Sequence, residues 1–150
     1  MKTRVLVVDD EKDFAHVLAE RLELQGYATD VCFGGAEAQE KVINGEYDVV
    51  VLDLMMPAPD GITTLKQIKH HKPIVEVIML SGQATRQMAI EGMMQGAFEY
   101  LTKPCDNETM VFKINEAHRR KREQEERIRK ALEEVGRANR QQHENTGGAV

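Results

Sequence analysis

Asp9, Asp10, Asp53, Ser81 and Lys103 each stand at or just past the end of a short apolar run. The run Val49 to Leu52 is uninterrupted and rich in β-branched residues, as in a strand buried on both faces of a parallel sheet, and it stops on Asp53. Taken alone, an aspartate in that place is a helix cap, a metal ligand or a nucleophile. Three carboxylates gathered on one rim would raise one another's pKa, so a cation should sit among them. An all-oxygen set that leaves room for water and phosphate suits Mg²⁺, and Lys103 adds a compact positive charge. The Ser81 hydroxyl and the Gly82 amide are donors for further oxygens. A phosphoryl group moving onto Asp53 spreads negative charge over three equatorial oxygens, which these groups are suited to meet. Asp53 is thus the candidate nucleophile, and an aspartyl phosphate the candidate product.

These residues meet only if the strands carrying them lie side by side. Arg4 to Val8, Ala28 to Cys32, Val49 to Leu52, Glu76 to Leu80 and Phe98 to Leu101 read as five strands. Helices are expected between them. Asp13 to Gln25 carries Phe14, Val17, Leu18 and Leu22 at helical spacing and stops at Gly26; Ala36 to Asn44 is shorter; Asp60 caps a helix with Ile62, Leu65 and Ile68 on one face. Ala84 to Gln95 contains Gly92, which costs about 1 kcal/mol relative to Ala, so this helix should be the loosest. Met93 and Ala89 are expected to pack on the sheet, although Met88, Met93 and Met94 together would also make an adaptable partner surface. Strands alternating with helices over short connections imply an α/β fold, a doubly wound five-stranded parallel sheet. The strand order 2-1-3-4-5 is borrowed from doubly wound folds of this size. Ligands bind such folds at the carboxyl edge of the strands, where the five residues converge.

With 150 residues, 41% apolar and 30% charged, the chain suits one domain with an appendage. It has no apolar run of membrane-spanning length and no secretory signal pattern, which favours a cytoplasmic setting. Cys32 and Cys105 have neither disulfide nor metal-knuckle spacing. His16, His70, His71, His118 and His143 show no ligand spacing and are expected to be solvated. Residues 119–150 hold nine Lys/Arg against six Glu, so the net charge of −5 divides into +3 there and −8 on residues 1–118. An acidic body argues against a nucleic-acid surface.

From about Lys2 to His118 the chain resembles the receiver domain of two-component response regulators. The resemblance rests on Val-Leu-Val-Val-Asp-Asp-Glu at 5–11, Asp-Val-Val-Val-Leu-Asp-Leu-Met-Met-Pro at 48–57, Asp-Gly at 60–61, Val-Ile-Met-Leu-Ser-Gly at 77–82 and Gly-Ala-Phe-Glu-Tyr-Leu-Thr-Lys-Pro at 96–104. It implies a flavodoxin-like fold and a phosphorylation-dependent switch that modifies only itself. Asp53 would be the phosphoacceptor, served by a sensor histidine kinase. Asp10 would bind Mg²⁺ directly, Asp9 through water, and Asp53 and the Met55 carbonyl would complete the set. Lys103 would pair with the phosphoryl group, and the Lys103-Pro104 bond would be cis. Ser81 and Tyr100 match the switch pair, whose movement would remodel the α4-β5-α5 face for a downstream protein. Met55 and Gln83 occupy the positions thought to tune phosphoryl lifetime. A phosphorelay intermediate fits the same residues. A Mg²⁺-dependent phosphohydrolase of the haloacid-dehalogenase type fits less well, because the residue two past the nucleophile is Met55, which moves no proton.

Two units are expected: a receiver at 1–118 and a charged helical extension at 119–150. The last helix should run from 106 to about 135, with Glu123–Arg127, Glu125–Arg129, Glu126–Lys130 and Glu133–Arg137 pairs along it, and then fray over 139–150. Val111, Ile114 and His118, and later Ile128, Leu132 and Val135, follow a heptad-like seam that Lys121 and Glu125 interrupt. This extension is expected to be either a solvated helix or a partner helix. A homodimer could form through it or through the α4-β5-α5 face.

Overall fold

The computed structural model describes the backbone of residues 1–147 and the side chains through residue 143. Its elements are β1 (Arg4–Val8), α1 (Lys12–Leu24), β2 (Ala28–Cys32), α2 (Gly35–Asn44), β3 (Val49–Leu52), α3 (Gly61–His71), β4 (Glu76–Ser81), α4 (Arg86–Met94), β5 (Glu99–Thr102) and α5 (Asn107–Gly147). All five strands are parallel, in the order β2-β1-β3-β4-β5. This is the fold expected from the sequence.

Alternation along the strands divides the core in two. Leu6, Val8, Val50, Leu52, Val77 and Met79 pack with α2, α3 and their loops on one face. Val5, Val7, Val49, Val51, Ile78 and Leu80 pack with α1 and α5 on the other. Every residue of β3 and β4 is buried, which is why Val49 to Leu52 and Val77 to Leu80 read as unbroken apolar runs. Local stops fall where the sequence puts them. Gly26 takes φ +98° after α1, and the Asp60 carboxylate accepts the Thr63 N–H at 2.8 Å at the start of α3.

Two helices depart from the sequence reading. In α4 only Gly92 is buried, and Ile90, Met93 and Met94 are exposed. Met93 therefore does not pack on the sheet. Gly92 takes that place instead, because a Cβ there would overlap the Met79 side chain. Its missing side chain lets the helix lie close to β4. The second departure is α5, which continues as helix to Gly147 through the stretch where fraying was expected. Residues 148–150 lie outside the described residues.

The first turns of α5 are held by the body, with Met110, Ile114 and Ala117 in the core. Ile114 is spent on the sheet and does not begin an outward seam. Near its exit from the domain, α5 is fixed by polar contacts at the amino edge of the sheet. Asp48 accepts the Arg4 N–H at 2.8 Å and the Lys121 ammonium at 3.0 Å. His118 lies 3.0 Å from the Thr3 hydroxyl and 3.7 Å from Asp48, so it is an anchor and not a solvated residue. Arg120 reaches buried Glu76 at 3.8 Å. Farther along, Glu133 pairs with Arg137 as expected, but Glu125 pairs with Lys121, and Glu126 with Arg129.

Burial alone would raise the Asp48 carboxyl, but the Arg4 N–H, Lys121 and His118 together hold it below its ordinary value. A carboxyl lowered on folding stabilises the fold above its unfolded value, and that stability is lost as pH falls through the folded value. Asp48→Ala is expected to lower stability by about 2 kcal/mol at neutral pH, to flatten that acid dependence, and to speed amide exchange over residues 117–125. Urea unfolding at several pH values and hydrogen exchange measure all three effects.

Candidate functional site

The parallel register brings the strand ends to one rim. Val8 lies beside Leu52 and Leu52 beside Met79. The Asp53 N–H extends the ladder to the Val8 carbonyl at 3.0 Å, and the Lys103 N–H to the Ser81 carbonyl at 3.1 Å. Asp9, Asp53, Ser81 and Lys103 thus leave adjacent strands on the same edge.

Asp9 and Asp53 are 2% and 4% exposed, which is unusual for carboxylates and requires partners. Asp9 accepts the Glu11 N–H at 2.9 Å and the Lys103 ammonium at 2.6 Å. Asp53 accepts the Met55 N–H at 3.0 Å and lies 3.5 Å from the same ammonium. Asp10 is exposed beside them, and each of the three can place a carboxylate oxygen within 4.8 Å of the others. Lys103 brings one positive charge among these carboxylates.

Burial raises the Asp9 carboxyl and outweighs the hydrogen bonds from Lys103 and Glu11 that pull it down; the Asp53 charge adds to the rise. Burial also pulls the Lys103 ammonium down, but its bond to Asp9 and the Asp53, Asp9 and Glu11 carboxylates raise it overall. Lys103 therefore stays charged at neutral pH. The Lys103-Pro104 peptide is cis, in keeping with the resemblance.

Ser81 is buried on the same edge, and its Oγ has no hydrogen-bond partner among the described residues. A buried hydroxyl left unpaired costs about 1–3 kcal/mol, so this one has a bond to offer at the rim. Tyr100 is half-buried. With Arg86, Ala89, Ile90, Met93, Met94 and Glu99 it lines a shallow surface cavity of about 510 Å³.

Two contacts of Lys103 were missed by the sequence reading. Glu11 lies 3.3 Å from its ammonium, and the Phe14 ring centroid 4.1 Å. Glu11 was visible as the third acid of the run Asp9-Asp10-Glu11. Phe14 gave no signal beyond helical spacing. The Met55 side chain, two residues past Asp53, is exposed.

Residues 5–115 match the family described as response regulator receiver domain. The chain belongs to that family. The regulatory protein ResD of Bacillus subtilis is 35% identical over 119 residues, covering 79% of this chain and 49% of ResD. The receiver domain of the Francisella response regulator 1452 is 36% identical, with a TM-score of 0.73 over 79% of this chain and 98% of that one. A receiver domain protein from Methanospirillum hungatei, 23% identical, shares the fold with a TM-score of 0.79 over 83% of this chain and 99% of its own. This receiver spans about half the length of ResD.

Proposed function

We propose that this receiver is a phosphorylation switch in which Asp53 takes a phosphoryl group from the phosphohistidine of a sensor histidine kinase. An Asp53 carboxylate oxygen forms the new P–O bond, and the P–N bond breaks with its electron pair returning to the imidazole. Lys103 moves part of its attention from Asp9 and Asp53 to a phosphoryl oxygen, and the Ser81 hydroxyl donates to another. The buried Ser81 hydroxyl, which has no hydrogen-bond partner among the described residues and lies on the same sheet edge as Asp53 and Lys103, carries this reading. A cap or a solvated loop would not require it.

The donor set also fits Mg²⁺. Asp9, Asp10 and Asp53 bring only oxygens, close enough to share one hard cation, and the Met55 carbonyl would join them. When bound, the ion neutralises charge on the phosphoryl oxygens. Water attack on phosphorus then breaks the P–O bond to Asp53, releasing inorganic phosphate and restoring the carboxylate.

Output through the α4-β5-α5 face fits the exposed apolar residues there. Ile90, Met93, Met94 and, on α5, Phe112 offer a surface for a downstream protein or a second copy, beside the switch residue Tyr100. Glu99, next to Tyr100, pairs with Lys113 of α5 at 3.1 Å, which joins β5 to that helix. The acidic balance of residues 1–118 argues against nucleic acid only for the body. Relatives such as ResD are named transcriptional regulatory proteins, and the matched stretch is 49% of ResD's length. A DNA-directed output therefore stands beside the protein-directed one, and the expectation against nucleic acid loses its force. The unpaired thiols Cys32 and Cys105 agree with a cytoplasmic setting, and no described helix is long and apolar enough to cross a membrane. We assign 1–118 to the switch and the remainder of α5 to output or linkage.

Incubation with acetyl phosphate and Mg²⁺ should add one phosphoryl mass, absent with EDTA and in Asp53→Asn. Sustained turnover of p-nitrophenyl phosphate would instead favour a phosphohydrolase.

A further inference from the structure

We infer that Phe14 is a positioning residue for phosphoryl transfer, its ring face holding the Lys103 ammonium where it reaches both Asp9 and Asp53. This rests on the proposed function. The ammonium ends a flexible four-carbon stem and has to serve two carboxylates and an arriving phosphoryl group. Its nitrogen is 4.1 Å from the Phe14 ring centroid, well inside the range of about 6 Å for cation–π attraction. The Lys103 side chain is only 13% exposed, and such attraction grows as water is excluded.

The ring face has one property that a further carboxylate would lack. It attracts the cation without accepting a directed hydrogen bond, so the N–H groups stay available to Asp9, Glu11 and Asp53, at 2.6, 3.3 and 3.5 Å, and later to phosphoryl oxygens. Packing alone does not account for an aromatic residue here. Phe14 is only partly buried, in the first turn of α1, and with Leu18, Leu80, Cys105 and Met110 it borders a cavity of about 290 Å³. A leucine would keep the apolar contact and remove the ring face.

The test compares Phe14→Leu and Phe14→Tyr in the full chain. Proton and carbon resonances of the Lys103 ε-methylene, read by NMR, should be shifted upfield by the ring in the wild type and in Phe14→Tyr, and return to ordinary lysine values in Phe14→Leu. The rate of adduct formation from acetyl phosphate with Mg²⁺ should fall about threefold to tenfold in Phe14→Leu and stay within about twofold of wild type in Phe14→Tyr. Circular dichroism establishes that both variants are folded. A wild-type rate in Phe14→Leu, equal slowing in both variants, or Lys103 resonances that do not respond would overturn the inference. A wild-type chain that takes no phosphoryl group overturns the proposed function as well, and that failure is seen without any substitution.

Discussion

Lys103→Ala is expected to slow adduct formation from acetyl phosphate by about 100-fold or more, the usual effect of removing one donor from a developing phosphoryl charge. The same substitution removes the counter-charge of two buried carboxylates, Asp9 and Asp53, which Lys103 approaches at 2.6 and 3.5 Å. Leaving buried charge uncompensated is costly, so thermal stability in EDTA should fall by about 3 kcal/mol. Added divalent cation should restore more stability to the variant than it gives the wild type, because a ligand of the folded state stabilises by mass action. Lys103→Arg separates the two roles. It keeps the charge, and hence most of the stability, but its planar fork cannot occupy the place of a compact ammonium, so the rate stays low. A Lys103→Ala chain with wild-type rate would remove lysine from the transfer step.

Gly61→Ala is the second large effect, and it acts on stability and site together. Gly61 opens α3, and a Cβ there would come within 2.5 Å of the Asp53 carbonyl oxygen and overlap the Leu54 backbone. Backbone atoms cannot rotate away as the end of a side chain can, so the loop carrying Asp53 and Met55 has to shift. A loss of about 3 kcal/mol is expected from urea unfolding. Phosphorylation should slow even at temperatures where the variant is folded, because a displacement of about 1 Å in a reacting group is enough to cost 100-fold. Gly92→Ala is milder. The Cβ there meets the flexible Met79 side chain, which can move.

The sheet was legible because its central strands are buried on both faces, which makes β3 and the Val77 to Leu80 stretch of β4 apolar without alternation. The charged residues that end those runs then fall on one edge by topology alone, so Asp9, Asp53, Ser81 and Lys103 could be placed together before any geometry was known. Two further contacts of Lys103 were not legible. Lys103 to Glu11 and Lys103 to Phe14 depend on how α1 leans over β5's exit, which no local pattern records. The expectation that Met93 packs on the sheet failed, since Ile90, Met93 and Met94 face solvent and a glycine makes the close contact with β4. His118 was misjudged for a related reason. Its partners, Thr3 and Asp48, are distant in sequence. The polar composition past residue 139 suggested fraying, but few glycines and no proline interrupt α5 before Gly147.

The most direct test of Asp53 as phosphoacceptor is to locate the group chemically. After acetyl phosphate and Mg²⁺, borohydride reduces an aspartyl phosphate to homoserine, and peptide mass spectrometry reads the position. Homoserine at residue 53, and at no other aspartate, is the predicted result. Reduction at Asp9 or Asp10, or a phosphoryl mass that resists borohydride and hydroxylamine because it sits on Ser81 or a histidine, would contradict the account.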